Sequence, residues 1–590
     1  MLDPRVYRAA FVPAAFALIV AAFSLQEPPR GSGSSLAPDA FVGARAFDGP
    51  GTGLRPLAAA FPQRGPGSSG DSGVAGRVIS TFRAAGLQTI IRRFSANTAV
   101  GRRPMQDIIG VRAGVSSRRV VVLAHRDSLY SPATADLSGT AALAELARVF
   151  TGRTLRKTLV LVSTSGGSGG NAGASAWARA PGGPVDAVVV LGDLASSRVR
   201  GPLIVPWSNG LGIAPVGLQR TVAQSLGLET GRRVPQAGVG SQFARLAVPL
   251  TPSEQGEVAL HGLPAVLLTV AGERGPGAAT AVSQDRLQEM GRTALRTITA
   301  LDGRVEPIPG PRAEVFFSRK LVPGWAISLL VGALILPALI AAVDGFARVR
   351  RRREPVARWL AWTLAGAIPF VVAWVFAVFL ELTGLLPVAP AAPLPAGAIP
   401  LDGAGIASMV AVALVVIVGW LALRPLAVRV AHARGAPDSP GAGAAVLLTL
   451  AVLSVAVWAV NPYAAALLLP GLHLALLLLA PELRLRRGLQ VLALVLALAP
   501  FALIAVYYAT EFGLSADDLL WSALLLVVGG GVGIPGVLAW CLGLGLLGDV
   551  LAILYARARR APEGDAPRTR GPARYAGPGS LGGTESALRR

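Results

Sequence analysis

The stretch RRVVVLAHRDS at residues 118–128, followed by SGTAALAELARVF at 138–150, decides the fold class. Residues 118–125 form a short apolar run rich in valine, which predicts a buried strand. Residues 138–150 place apolar side chains at helical spacing, and Ser138 stands where a helix N-cap is expected. A strand, a loop and an amphipathic helix in this order form the repeating unit of an α/β fold.

The same alternation continues through residues 71–305. The strand-like runs are apolar throughout, as in parallel sheets that are covered on both faces. We therefore expect an α/β domain with a mostly parallel sheet flanked by helices. Further strands are predicted at 157–164, 185–194 and 263–270, and further helices at 77–86 and 285–301.

Composition excludes a single soluble globule. The chain has 590 residues, of which 52% are hydrophobic and 15% are charged, whereas a soluble domain is usually about 25% charged. After residue 323, long apolar segments predict an α-helical transmembrane bundle of about seven spans. The spans are expected near 324–343, 359–380, 403–423, 442–460, 463–480 and 489–508, with one or two more within 519–556.

The N-terminal apolar segment predicts an uncleaved membrane anchor, with a signal peptide as the alternative. We expect eight spans in total, because an even number places both termini on the same side. The expected organisation is an anchor or signal peptide (1–26), a Gly/Pro/Ser-rich linker (27–70), an extracytoplasmic α/β domain (71–305), a second linker (306–322), the transmembrane region (323–556) and a basic, disordered tail (557–590).

The distribution of charge indicates a membrane topology. The formal net charge is +22, and arginines cluster beside apolar segments at 347–358 and 424–434. The loops at 381–402 and 509–518 carry acids and no Arg or Lys. Under the positive-inside rule, both termini are expected in the cytoplasm and residues 27–322 outside the cell membrane. The expected partners are membrane lipid, other membrane proteins and extracytoplasmic peptides, and not nucleic acid.

Polar residues follow two of the predicted strands at the points where they end. His125 and Asp127 follow the strand at 118–124, Asp136 lies in the next loop, and Asp193 ends the strand at 185–192. In open α/β sheets, sites form at the carboxyl ends of strands. One His and two carboxylates predict a metal site, with Asp127 behind His125 in the position that orients a ligating imidazole. The alternative is a solvated loop with ordinary capping acids.

These segments resemble the family-28 zinc exopeptidases, the aminopeptidase Y type. The resemblance implies a site with two zinc ions, in which His125, Asp136 and Asp193 match the ligands of the first zinc. It also implies that Asp136 bridges the two metals and that Asp127 supports the histidine. The matching motifs are HRDS (125–128), ADLSGTAALAELAR (135–148), VVVLGDL (188–194) and HGLPAVLLT (261–269).

The sequence departs from this family where the catalytic base is expected. Gly166 and Gly167 take the places of a Glu-Glu pair, whose first member is the family's general base. Glu254 and Gln255 take the places of a late Asp-His pair, and Gln is a poor zinc ligand. The resemblance therefore implies at most one zinc ion, with no residue assigned as the general base.

Other patterns offer weaker hypotheses. Ser168 lies in a G-x-S-x-G pattern after a strand, and His261 follows it, as in serine hydrolases. Glu257 and His261 are four residues apart and share a face if 253–261 is helical, so together with Glu254 and Gln255 they are weak candidates for second-metal ligands. The alternative is an exposed pair at a helix end. His473 and Asp549 are ionisable residues within or near spans, which are functional candidates by default. A basic face that suits phospholipid head groups or solvent comprises Arg92, Arg93, Arg102, Arg103, Arg118 and Arg119.

Three functions follow from these observations. The first is a membrane protein whose degenerate exopeptidase-like domain serves binding or scaffolding. The arrangement resembles the large membrane subunit of the GPI transamidase and membrane-bound family-28 peptidases. The second is a metallopeptidase that uses a single zinc ion, and the third is a lipid-handling or transporter-like protein. The leading hypothesis is the first, because the base and second-metal positions are lost.

Overall fold

Seven strands form one mixed sheet in the N-terminal half of the chain. The computed structural model describes residues 4–33, 38–199, 203–232, 234–352, 355–480, 483 and 485–559. The strand order is β1-β2-β4-β3-β5-β7-β6, and the central strands β4, β3, β5 and β7 run parallel. The remaining pairings, β1 with β2, β2 with β4 and β6 with β7, are antiparallel. The seven strands of this sheet are β1 (Gln88–Thr98), β2 (Gly101–Arg112), β3 (Ser116–His125), β4 (Lys157–Thr164), β5 (Val185–Leu191), β6 (Ile204–Val205) and β7 (Ala265–Leu268). Two further strands, β8 (Val315–Phe317) and β9 (Lys320–Val322), lie outside it.

The central strands are buried because helices cover both faces of the sheet. Every residue of β4 is buried, which matches its uninterrupted apolar run. One face packs in a core with the helices at 138–149 and 284–303, and the other packs with those at 172–178 and 254–260. The α/β part of the predicted fold class is confirmed, with antiparallel strands at both edges of a parallel centre.

The N-terminal half contains eleven described helices and the C-terminal half ten. They are α1 (Pro4–Ala9), α2 (Val12–Phe23), α3 (Gly43–Asp48), α4 (Leu54–Ala60), α5 (Ser69–Ala84), α6 (Ser138–Val149), α7 (Ala172–Ala178), α8 (Val216–Thr230), α9 (Val239–Ala247), α10 (Glu254–Leu260), α11 (Gln284–Gly303), α12 (Gly324–Arg351), α13 (Val356–Leu364), α14 (Ile368–Leu382), α15 (Gly403–Val418), α16 (Arg424–Val430), α17 (Pro440–Val460), α18 (Pro462–Leu479), α19 (Arg487–Phe512), α20 (Ala516–Val528) and α21 (Ile534–Arg559).

Two segments predicted as linkers carry structure. Within 27–70, helices α3 and α4 bury Phe47, Leu54 and Leu57 in the core of the sheet domain. Within 306–322, strands β8 and β9 form a hairpin. Both segments are rich in Gly and Pro and have little periodicity, so the sequence pattern missed short elements that are held by tertiary burial. Residues 560–590 of the predicted tail lie outside the described part of the chain.

Seven helices of the described chain are long and apolar enough to cross a membrane. The predicted α-helical membrane region is therefore supported by length and composition. A shorter apolar helix, Tyr7–Phe23, corresponds to the predicted anchor. In the ambiguous segment 519–556, α20 has 13 residues and α21 has 26. The seven are Gly324–Arg351, Val356–Leu382, Gly403–Val430, Pro440–Val460, Pro462–Leu479, Arg487–Phe512 and Ile534–Arg559.

Asn461, the residue that precedes α18, joins the membrane region to the sheet domain. The Asn461 Oδ1 accepts hydrogen bonds from the backbone N–H groups of Tyr463 and Ala464, which caps the helix. The Asn461 amide nitrogen donates to the carbonyls of Leu246 and Ala247, at 2.9 and 3.2 Å. Since those carbonyls belong to the last turn of α9, this buried side chain satisfies the ends of two helices from different parts of the chain.

Candidate functional site at the carboxyl edge of the sheet

The direction in which strands are added to the sheet changes at β3, and the carboxyl ends of β3 and its neighbours carry the predicted site residues. The chain leaves β3 to form β4 on one side and later returns to form β5 on the other. Ligand sites in α/β sheets form at such a switch point. His125 is the last residue of β3, Thr164 is the last residue of β4, and Asp193 follows β5 by two residues. The topology therefore brings together residues that are distant in sequence.

Asp136 is held in the loop between β3 and α6. It lies in a short 3-10 turn, and its Oδ2 accepts a 2.5 Å hydrogen bond from the Ser128 hydroxyl. The buried Arg64 donates to the carbonyls of Pro132 and Ala133, which fastens the loop just before Asp136. Arg64 belongs to the segment predicted as a linker, and no local pattern marks it as part of a site.

Asp127 supports the glycine-rich turn after β4. Its carboxylate accepts hydrogen bonds from the backbone N–H groups of Gly167 and Ser168, at 2.9 and 3.1 Å. It also accepts a 2.5 Å bond from the Ser168 hydroxyl. No hydrogen bond between Asp127 and His125 is found in the described part of the chain. Asp127 thus lies next to the histidine in sequence, but it positions the turn that faces the histidine.

Glycine suits this turn at both positions that depart from the family pattern, Gly166 because of its backbone conformation and Gly167 because of the space available. Gly166 has a φ of +80°, a region that side chains rarely adopt. A Cβ atom at Gly167 would lie 2.3 Å from the His125 Cβ and 3.2 Å from a Glu254 carboxylate oxygen. The space beside Gly167, the second position of the implied Glu-Glu pair, is therefore filled by the side chains of His125 and Glu254.

Glu254 is the carboxylate that pairs with the histidine. Its Oε2 lies 3.4 Å from the His125 Nδ1, and its Oε1 accepts a 2.5 Å hydrogen bond from the Thr164 hydroxyl. Glu254 is the first residue of α10, a helix that packs against α7 and β7. Sequence reasoning ranked Glu254 among the weak metal candidates, because nothing local shows that α10 brings it to the end of β3.

Asp193 is turned toward its own loop. Its Oδ1 accepts hydrogen bonds from the backbone N–H groups of Ala195 and Ser196, both at 3.0 Å. Its Oδ2 accepts a bond from the Ser196 hydroxyl, and the Ser138 hydroxyl approaches Oδ1 at 3.5 Å. Asp193 still lines the same cavity as His125 and Asp136.

The electrostatics of the site follow from burial and from the paired charges. Burial alone would lower the pKa of His125, but Glu254 and the other nearby carboxylates raise this pKa to about 9. Burial raises the pKa of Asp136 to about 6, although the charge of His125 opposes this shift. Burial also raises the pKa of Asp193. His125 is thus a cation at neutral pH, set among carboxylates.

These side chains enclose a cavity of about 100 Å³. His125, Asp136, Asp193 and Glu254 line it. One buried acceptor atom of the lining, the Asn171 Oδ1, receives no hydrogen bond within the described residues, and the Glu254 Oε2 has only the His125 ring at 3.4 Å. Their side chains are 1% and 3% exposed. A buried acceptor without a donor costs free energy, so the cavity favours a ligand that supplies hydrogen-bond donors.

The other predicted residues lie outside the cavity lining, except Ser168. Gln255 donates toward Trp207 and Thr251, and Glu257 accepts a 2.8 Å bond from Asn209. His261 follows the last residue of α10. Ser168 lines the cavity but donates to Asp127, and no hydrogen bond to His261 is found among the described residues. The serine-hydrolase hypothesis therefore has no assembled triad to support it.

Five of the remaining candidates have protein partners. In the membrane region, Asp549 accepts a 2.6 Å hydrogen bond from Arg424. His473 lies between the Tyr7 hydroxyl and the Leu334 carbonyl, at 2.8 and 3.0 Å. On the predicted basic face, Arg92 and Arg119 donate to backbone carbonyls and Arg118 pairs with Asp186.

A zinc ion needs several His, Asp or Glu donors around one point. Among the residues that the structure describes, no three His, Cys, Asp or Glu side chains are grouped in this way. The Nδ1 of His125 faces Glu254, and the carboxylates of Asp136 and Asp193 accept bonds from neighbouring serines. In this arrangement the donor set does not fit the zinc ions that the resemblance implies.

One segment of the membrane region lines the cavity, and a second contacts one of the lining residues. Pro395, from the loop between α14 and α15, lines it together with Arg274. The Arg274 Nε donates to the Glu511 carbonyl at 2.8 Å, and its Nη2 donates to the Thr510 carbonyl. Both carbonyls belong to the last turn of α19. The sequence placed these segments in the membrane region and gave no signal that they border the site.

Comparisons with known proteins give similar folds at low identity. BSAP, a zinc aminopeptidase from Bacillus subtilis, aligns at 12% identity over 44% of this chain and 94% of that one, with a TM-score of 0.34. A leucine aminopeptidase precursor from Bacteroides thetaiotaomicron aligns at 14% identity over 44% and 97% of the two chains, with a TM-score of 0.36. A glutaminyl cyclase from an Acidobacteriales bacterium aligns at 17% identity over 46% and 99%, with a TM-score of 0.36.

No family model matches the chain, and no curated protein matches it. At these identities and TM-scores, the similarity to solved structures assigns no residue roles in this chain. The function is therefore argued from the site itself.

Proposed function

We propose that this chain is an integral membrane protein whose α/β domain binds a ligand in the cavity at the ends of β3 and β5. In this proposal the domain does not hydrolyse peptides by the two-zinc mechanism of family-28 exopeptidases. The observation that carries the proposal is the corner around Gly167. Glu254 and His125 pair there, at the place where the family pattern requires a general base and a second-metal ligand.

The paired charges explain why this corner suits binding. A general base must reach the proton of an attacking water, but Glu254 is held by Thr164 and by His125. Both oxygens of the Glu254 carboxylate therefore face protein groups, and neither is free to approach a water in the cavity. The cavity keeps a surplus of acceptors, so recognition of a donor-rich ligand is the chemistry that it supports best.

The ends of the helices support an orientation in the cell membrane. Helix α12 begins beside β9, α18 begins at the contact with α9, and Arg557 donates to carbonyls at the far end of α18. Arginines therefore concentrate at the ends away from the α/β domain, and acids at the nearer ends. Under the positive-inside rule we place this domain, within residues 27–322, outside the cell and both termini in the cytoplasm.

A second candidate is a hydrolase with a single zinc ion. It is favoured by one observation, namely that His125, Asp136, Asp193 and Glu254 line the same cavity. Small rotations of these side chains would be needed to free their donors for a metal. A transporter-like role of the membrane region ranks third, because its ionisable residues, the buried Asp549 and the half-buried His473, have partners within the protein.

The test is the zinc content and the hydrolytic activity of the purified full-length chain. We expect substoichiometric zinc by elemental analysis, unchanged in Asp136→Asn, and no release of the chromophore from aminoacyl substrates. One zinc per chain that disappears in Asp136→Asn, together with hydrolysis that this variant loses, would overturn the proposal and establish the metallopeptidase instead. Thermal unfolding of both proteins checks that the variant is folded.

A further inference from the structure

One wall of the cavity is fixed to the end of a membrane helix. Glu273 and Arg274 both line the cavity. The buried Glu273 pairs with Arg245, which donates a 3.0 Å hydrogen bond to the Tyr507 hydroxyl of α19. Arg274 donates to carbonyls in the last turn of the same helix. Tyrosines near the end of a span mark the membrane–water interface, so this wall lies at the height of the lipid head groups.

A second wall comes from the loop at residues 383–402, which enters the membrane region at both of its ends. Its Pro395 lines the cavity, and the Tyr130 hydroxyl of the sheet domain donates to its Ala396 carbonyl at 3.4 Å. The Trp521 Nε1 of α20 donates to the Ile399 carbonyl at 3.0 Å. The loop is thus held between the α/β domain and the helices, and the cavity lies against the surface of the bilayer.

The polar groups of the cavity are arranged by charge. Asp136, Asp193 and Glu254 supply three carboxylates against the one cationic ring of His125, and the buried Asn171 Oδ1 adds an acceptor without a donor. Arg274 is exposed and lies among the lining residues, so it places a cation where the cavity opens. A primary ammonium group has three N–H donors and suits the acceptors, whereas a phosphate suits the guanidinium.

We infer that the cavity binds the head group of a phospholipid that carries a primary ammonium group and stays in the bilayer. The ammonium group lies against the carboxylates, the phosphate lies near Arg274, and the acyl chains remain in the membrane beside α19 and the 383–402 loop. This inference rests on the proposed function, since it names the ligand of the same cavity. A lipid fits better than a water-soluble ligand because one wall belongs to a loop between two membrane helices and another is hydrogen-bonded to the end of α19.

The experiment titrates the purified full-length chain in detergent with phosphatidylethanolamine and with phosphatidylcholine, and counts bound lipid by native mass spectrometry. The two lipids share the phosphate and the acyl chains, but the quaternary ammonium of phosphatidylcholine has no N–H donor. We expect phosphatidylethanolamine to bind at least about tenfold more tightly, the effect of one charge-assisted hydrogen bond. Equal affinity for the two lipids would overturn the inference.

Two variants test separately the contacts of the ammonium group and of the phosphate. Glu254→Gln is expected to weaken phosphatidylethanolamine binding about tenfold and to leave phosphatidylcholine unchanged. Arg274→Gln is expected to weaken both lipids, because both carry the phosphate. The matched controls are Glu306→Gln and Arg83→Gln, which change exposed residues away from the cavity. An equal loss in the control variants would contradict the inference. If Glu254→Gln does not fold, Arg274→Gln and the comparison of the two lipids still test it.

Two further ligands distinguish a failure of the lipid inference from a failure of the proposed binding function. Glycerophosphoethanolamine carries the same head group without acyl chains, and binding as tight as that of the lipid would overturn the role of the bilayer. A peptide with a free amino terminus that binds while phosphatidylethanolamine does not would also overturn the lipid assignment. Either result leaves the proposed binding function intact if the chain is free of zinc and inactive. Stoichiometric zinc with hydrolysis would instead refute the proposed function itself.

Discussion

Gly167 lies between the end of β4 and the cavity, and the position of its absent Cβ is already occupied. Its φ is negative, so an L-residue meets no backbone strain there, and only the side chains of His125 and Glu254 oppose it. Those two side chains are buried and paired with each other. A substitution at Gly167 therefore tests the packing of the His125–Glu254 pair.

Gly167→Ala is expected to lower stability by about 1–3 kcal/mol, the usual cost of overpacking. The added methyl group must displace the His125 side chain, and ligand binding in the cavity should fall with it. The matched control is Gly76→Ala on the exposed face of α5, where a Cβ meets nothing within 4 Å. That change should raise stability by about 0.5–1 kcal/mol, because alanine favours helix. Thermal unfolding of the purified chain compares the two, and an equal Tm for both would refute the packing argument.

At this scale the sequence predicted half of the site. His125 and Asp193 could be placed because each ends a strand whose apolar run is visible, and the ends of parallel strands meet at one edge. Glu254 could not be placed, because its position depends on how α10 packs on the sheet. Arg64 and Arg274 gave no signal for the same reason. Each belongs to a segment whose own pattern indicates only a loop.

Among the elements, the start of β5 carries a buried ion pair that the site does not use. Asp186 accepts a hydrogen bond from Arg118 and lies 2.6 Å from the Lys157 Nζ. Lys157 begins β4 and is buried, so the three charges join the starts of three adjacent strands. Burial alone would raise the pKa of Asp186, but the hydrogen bonds from Arg118 and Lys157 outweigh burial and lower this pKa.

Asp186→Asn is expected to cost about 3–5 kcal/mol, because it leaves the Lys157 ammonium buried without a partner. Since the folded state lowers the pKa of Asp186, its contribution is present above pH 3.8, the unfolded value, and is lost as the pH falls below it. Unfolding measured between pH 7 and pH 3 should show a smaller acid destabilisation in the variant than in the wild type.

Glu289→Gln, in an exposed helical pair with Arg286, should cost about 0–1 kcal/mol. A loss in Asp186→Asn no larger than in this control would argue against the pair.

The contact between α9 and α18 can be tested at Asn461. Asn461→Ala removes a helix cap, worth about 0.5–2 kcal/mol, and also frees the carbonyls of Leu246 and Ala247. Asp402→Ala removes a similar cap, the acceptor of the Gly405 N–H, from α15 without touching the sheet domain. We expect faster hydrogen exchange in residues 239–250 for Asn461→Ala only. An equal rate of hydrogen exchange in residues 239–250 of both variants would show that other contacts hold the sheet domain to the membrane region.

The sequence predicted these elements unevenly. Strands β3, β4, β5 and β7 and the long apolar helices follow from uninterrupted apolar runs, because burial on all sides leaves that pattern. Helices α3 and α4 were missed, because six or seven residues give too short a period to recognise. The antiparallel strand β2 alternates basic and apolar residues only in part, since one end of it is exposed and the other is buried. Local pattern therefore fails where tertiary packing supplies the stability.

At the scale of the whole molecule, the structure joins a charged domain to an apolar bundle through a few polar contacts. Asn461, Tyr508 and Arg274 each connect a membrane helix to the sheet domain by hydrogen bonds to backbone carbonyls. The Tyr463 hydroxyl adds a 2.8 Å bond to the Ala313 carbonyl. Because Pro395 of the membrane region lines the cavity together with residues of the sheet domain, a ligand bound there contacts both parts of the molecule, and its affinity depends on how they are held together.

The proposed orientation predicts which surfaces a membrane-impermeant thiol reagent reaches. The single cysteine, Cys541, is buried and is first replaced by alanine. In spheroplasts, Val305→Cys, at a position that is 85% exposed on the sheet domain, should be labelled without permeabilisation. Ala436→Cys, in the exposed loop after α16, should be labelled only after the membrane is opened, because this loop follows an arginine-rich helix end that favours the cytoplasm. Labelling of position 436 in sealed spheroplasts would reverse the orientation. It would also move the cavity and its head-group ligand to the inner leaflet, so this result decides from which leaflet a lipid enters the site.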